Sequence, residues 1–172
     1  MSTSLYGLCV PSYLQTLTAV AGFLEKGRLH CQSAGIDPQT IVDARLAPDM
    51  LPFRFQIVSV AHHSLGTIQA LSTGSFGPPS DSVFDYATLQ KLVVEARDAV
   101  KSASAADIDR HAGRDIVFSL GQMKLPFTAE DFILSFSLPN FYFHAATAYD
   151  ILRMKGAPLG KADFLGPMRM KR

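Results

Sequence analysis

Asn140 and His144 lie four positions apart in an otherwise apolar stretch, Leu138 to Arg153. Residues at i and i+4 stack on adjacent turns of a helix. At a helical period they share one face with Ile133, Ala148 and Ile151, and that face is the apolar one. An amide and an imidazole on a core-facing stripe need hydrogen-bonding partners, and protein groups, water or a metal could serve. His62 and His63 are the other candidates. Neighbours in a helix point about 100° apart, so at most one of them is expected to reach a common centre with His144. The other is expected to be exposed. The alternative for His144 is structural: its ring donates to Asn140 or to a backbone carbonyl and holds the helix in register.

Other chemistries find little support. The Gly-containing stretch Thr73 to Ser80 lacks the Lys and the GK[ST] ending of a phosphate loop. There is no GxSxG nucleophile elbow and no paired-carboxylate motif for acid and base work. No residue is nominated as catalytic. Cys9 and Cys31 are too far apart for a CxxC pair and read as reduced, buried thiols of a cytoplasmic protein.

These residues need helices to position them. Val10-Pro11-Ser12 predicts the start of a first helix, with Ser12 as cap and Gly35 as its end. His30 falls in its last turn and is expected to be solvated. Asp37-Pro38-Gln39 predicts a short helix. A loop with two prolines comes next, in which Arg45 and Asp49 are expected to pair or cap. A second long helix spans Phe53 to Ser72, with Ile57, Val58, Ala61, Leu65 and Ile68 as its stripe. Thr73 to Ser80 reads as a linker. A third helix covers about Asp85 to Ser104. The alternation of Asp115–Leu120 and Gln122–Pro126 around Gly121 predicts a β-hairpin, and His111, ahead of it, is expected to face solvent. The last helix runs from near Thr128 to before Gly156, kinked by Pro139 beside the Asn140/His144 pair. The tail from Gly156 reads as loop, anchored by Phe164 and Leu165.

At 172 residues and 18.7 kDa one domain is expected across 1–172. Hydrophobic residues make up 48% and charged ones 18%. Sixteen Lys and Arg against fifteen Asp and Glu give a net charge of +1. That balance argues against nucleic acid, which wants a basic face, and leaves little repulsion against self-association. No run of eighteen apolar residues is present, so no membrane span is expected, and no secretory signal is read at the N-terminus.

Four stretches taken together, Ala44–Met50, Leu138–His144, Ala148–Arg153 and Gly160–Gly166, resemble an uncharacterised, mainly bacterial family classed as a domain of unknown function. That family is grouped with the DinB-like, YfiT-like helical bundles. The resemblance implies a four-helix bundle with a long crossover and often a homodimer. With the β-hairpin read above between the third and last long helices, the expected fold class is all-α. Many relatives hold a divalent ion on three histidines, one from the second helix and two from an HxxxH on the last. Here the ligand set so implied is His62 or His63, His144 and Asn140. Asn140 stands where the group has its first histidine, and a neutral amide is a weak ligand for zinc or nickel. Three functions are compatible with these residues. One is a bundle with a degenerate metal-type site and no catalysis, open to a small-molecule ligand. Another is a divalent-metal-dependent hydrolase or thiol transferase. The third is a dimeric stress-response or interaction protein.

Overall fold

The computed structural model describes residues 4–80 and 82–171. The first helix, α1 (Leu5–Ala34), starts earlier than its sequence suggests. Ser4 is the cap, its hydroxyl accepting from the Gly7 amide, and Pro11 lies inside the helix. The carbonyl that the Pro11 ring crowds belongs to Gly7, which has no side chain to add to the clash. Gly35 ends α1 at φ 67°, a left-handed turn that favours glycine. An 18-residue window of α1 reaches a mean hydropathy of 1.3, and half of it is buried inside the protein. By length and composition alone this helix could cross a membrane, although the sequence has no unbroken apolar run.

After the short α2 (Gln39–Val42), Arg45 donates to the Met50 carbonyl and so fixes the proline loop. The second long helix is interrupted. α3 (Phe53–Ala61) passes into a wider π turn at His62–Gly66 and continues as α4 (Thr67–Thr73). The extra residue in the turn rotates α4 relative to α3. Beyond its start, Ser64, Thr67, Ala70 and Leu71 are buried, and Leu65 and Ile68 of the expected stripe are only half-buried. Val58, ahead of the turn, is half-buried too.

The expected linker holds a strand. β1 (Ser75–Phe76) pairs in parallel with β2 (Asp115–Leu120), which pairs antiparallel with β3 (Met123–Thr128). The all-α expectation is corrected accordingly: the chain is mostly helical with a three-stranded sheet, order β1-β2-β3. β1 escapes a sequence reading because two residues show no alternation. Pro126 sits on the edge strand β3, where a missing amide leaves no neighbour unpaired.

α5 (Tyr86–Ser102) is capped by Asp85, and α6 (Ala105–Asp109) is a short helix not foreseen in the sequence. The last long helix starts at α7 (Ala129–Asp131), passes through a second π turn at Phe132–Ser137, and continues as α8 (Leu138–Met154). Pro139 stands at the beginning of α8, directly after that turn. The wider turn receives the proline's missing donor, so the irregularity is a π turn ahead of Pro139. α9 (Lys161–Leu165) replaces the expected loop, and Phe164 packs edge-on against Tyr149 at 5.7 Å.

The buried apolar residues form one cluster. α1 packs on α5 and α8, and α3 lies between α5 and α8. Cys9 and Cys31 are free and buried, and burial pushes the Cys9 thiol up to about 12. Such a thiol is inert at neutral pH.

Candidate functional site between the second and last long helices

The two π turns face each other across the core. The Ser137 hydroxyl, fully buried, donates to the His63 carbonyl at 2.7 Å. It also meets the Tyr13 hydroxyl at 2.6 Å and the Thr67 hydroxyl at 2.7 Å. This polar knot ties α1, α4 and the second π turn together and fixes the backbone that carries His63. Ser137 and Thr67 escape a sequence reading, since a lone hydroxyl in an apolar run gives no periodic signal.

His63 is 6% exposed and lies parallel to His144, ring centroids 5.8 Å apart and planes 19° from parallel. The Nδ1 of His63 is buried with no hydrogen-bond partner among the described residues. Burial, with the neighbouring His144 and His62 adding to it, pushes the His63 pKa down to about 3. Burial pushes His144 down to about 4. Both imidazoles are therefore neutral at pH 7.

His144 is half-buried, against Phe55 and Phe143. Its Nδ1 lies 2.7 Å from Oε1 of Gln56. Gln56 donates through Nε2 to the Leu51 carbonyl at 2.8 Å, which fixes the amide's orientation. Oε1 can only accept, so Nδ1 of His144 carries the proton and Nε2 presents a lone pair. Gln56, 2% exposed, is the positioning residue that the sequence reading missed. Its signal was a single amide within the second helix's first turns.

The nominated residues therefore divide. His63 and His144 come together. His62 does not join them, and it is half-buried rather than exposed. Its Nε2 donates to the Gly77 carbonyl at 2.6 Å, because β1 brings that loop back over the π turn. Asn140 is half-buried, and its amide donates to the Phe136 carbonyl of its own helix at 2.7 Å. Two other histidines also depart from expectation. His30 packs on the helix end, its Nε2 3.2 Å from where a Cβ on Gly156 would stand, and His111 is half-buried beside Arg110 and Arg114.

Among the described residues no group of three or more His, Cys, Asp or Glu is placed to hold a metal ion. Two imidazoles fall short of the three protein ligands of a catalytic zinc site. The described residues do not fit a tightly bound divalent ion.

Comparison with known proteins agrees with this architecture. The chain resembles a DinB family member protein from Shewanella denitrificans, with 26% identity and a TM-score of 0.80 over 98% of this chain and 95% of that one. No curated protein matches it. The profile of a domain of unknown function, DUF1993, matches residues 5–165. That span takes in α1 through α9, and the chain belongs to the DUF1993 family.

Proposed function

We propose that this protein is a DinB-like four-helix bundle whose metal-type site is degenerate, and that it acts by binding rather than by catalysis. The observation that carries this reading is that only two imidazoles meet, His63 and His144. His62 serves Gly77, and Asn140 has only a neutral amide oxygen to give, so among the described residues the pair lacks a third strong ligand. The test is thermal unfolding with zinc, nickel or manganese added in excess. A ligand that binds only the folded state raises stability by RT ln(1 + [L]/Kd). The expected result is no rise in Tm for the natural sequence. Stoichiometric metal in protein purified without chelator would overturn the reading.

One observation favours a second reading, a divalent-metal-dependent hydrolase or thiol transferase. Gln56 sets the tautomer of His144 as an outer-shell group does for a metal-bound histidine. Asn140→His separates the two readings. If the site is degenerate, this variant gains a metal-dependent rise in Tm that the natural sequence lacks. If both show the same rise, the site is intact and Asn140 is one of its ligands.

We also propose a homodimer. The outward side of the last helix exposes Leu134, Tyr142 and Phe143 at 51%, 41% and 55%, an apolar surface on a chain of net charge +1. Exposed apolar groups on neighbouring turns favour association.

A further inference from the structure

His62, excluded from the His63/His144 cleft, lines a separate cavity. This hollow of about 330 Å³ lies between the α3–α4 helix, α5 and the connection from β1 to α5. That volume is at the lower end of small-molecule sites, roughly 300–1,000 Å³. Val58, Leu65 and Leu92 supply apolar walls from the two helices, and Pro78, Pro79 and Phe84 cover them.

Its polar groups are few and mostly accept. His62 donates its Nε2 proton to Gly77, so Nδ1 is a bare acceptor. Nδ1 makes no hydrogen bond among the described residues and lies over Gly66, another lining residue. A Cβ at Gly66 would stand 3.1 Å from Nδ1, so glycine there leaves room around this atom. The opposite wall offers the Glu95 carboxylate, the one charged group among the lining residues. Among the described residues Glu95 has one loose partner, Lys91 at 3.6 Å, and both side chains are well exposed. Such a pair is worth little and exchanges readily. The wall that carries His62 is the π turn itself, and π insertions occur frequently at functional sites.

We propose that this cavity binds a small amphiphilic amine, with the apolar body between Leu65, Leu92 and Phe84 and the ammonium donating to Glu95, Nδ1 of His62 being a further acceptor. A carboxylate of the same shape meets the Glu95 charge, and Lys91, the nearby cation, is not among the lining residues. The proposal does not depend on the metal reading above, because the two sites lie on different faces of the second helix.

Phenethylamine, 2-phenylethanol and 3-phenylpropionate share an apolar body and differ in charge. The experiment titrates each into isotopically labelled protein and follows His62, Leu65 and Leu92 by NMR. Phenethylamine is expected to saturate these shifts with the lowest Kd and the carboxylate with the highest. Glu95→Gln is expected to weaken phenethylamine about fivefold and leave the alcohol unchanged. Glu95 is exposed, so this variant keeps the fold. Leu92→Trp fills the cavity and is expected to abolish binding of amine and alcohol alike. Absence of saturable shifts at millimolar phenethylamine, equal affinity for the carboxylate, or indifference to Glu95→Gln would each overturn the proposal.

Discussion

At the residue scale, burial sets the chemistry of His63 and His144 and makes it measurable through pH. An unfolded histidine has the ordinary value of 6.5, whereas the folded pair titrates near 3 and 4. Between those values the unfolded chain binds more protons than the folded one. Stability is thus complete above about pH 6.5 and declines as pH falls toward about 4 and then 3. Each imidazole adds a slope of at most about 1.4 kcal/mol per pH unit. His62, also held below its ordinary value by burial, acts in the same direction. Urea denaturation across this range should show the decline, and His63→Leu should flatten it; a stability independent of pH between 6.5 and 4 would contradict the placement of both rings. The hydroxyl knot makes a second prediction. Ser137→Ala leaves the Tyr13 hydroxyl buried without its partner, and should cost about 1–3 kcal/mol. Adding Tyr13→Phe removes the stranded group, so the double variant should cost less than the two single changes added together.

At the scale of elements, close approach decides more than propensity. Gly27 lies within α1, where alanine is the better helix former by about 1 kcal/mol. Yet a Cβ there would stand 2.6 Å from the Tyr86 hydroxyl and 2.9 Å from Leu152. Tyr86 uses that hydroxyl to donate to the Leu24 carbonyl at 2.7 Å, joining α5 to α1. Gly27→Ala should therefore destabilise by about 1–3 kcal/mol, as overpacking does, and thermal melts should show a lower Tm. A rise would mean that α1, α5 and α8 are spaced more widely than described. The periodicity of α1, α5 and the last helix was legible because their apolar faces repeat over many turns. The π turns were not legible, since one inserted residue leaves the local pattern helical and only rotates its continuation. His63 rather than His62 turns toward α8 because it continues the buried face of Gln56, Ser59 and Val60 at helical spacing, a choice the sequence left open. The strand β1 was hidden for a different reason: its pairing with β2 is non-local, and nothing within Ser75–Phe76 announces it.

At the scale of the whole molecule, the family and the mostly helical architecture were legible from stretches spread along the chain, whereas the site was legible only as types and spacing. Asn140 and His144 sit on one face as expected, but each turns to a partner that spacing cannot reveal, Phe136 for one and Gln56 for the other. The same helix carries the surface proposed above for self-association. Its inward residues, Phe141, Ala145, Ala148 and Leu152, are fully buried, while Tyr142 and Phe143 point away from that core. Two large aromatics exposed on consecutive positions are poorly explained by packing within one chain. A second copy would cover them by an isologous contact, the commonest way in which soluble chains pair. Light scattering coupled to size-exclusion chromatography should then report twice the mass of the 18.7 kDa chain. Tyr142→Lys should return it to a single chain without lowering Tm measured at the monomer's concentration, because this side chain is exposed. A single-chain mass for the natural sequence, at concentrations up to the micromolar range where modest interfaces are occupied, would remove the dimer and leave these aromatics to another partner.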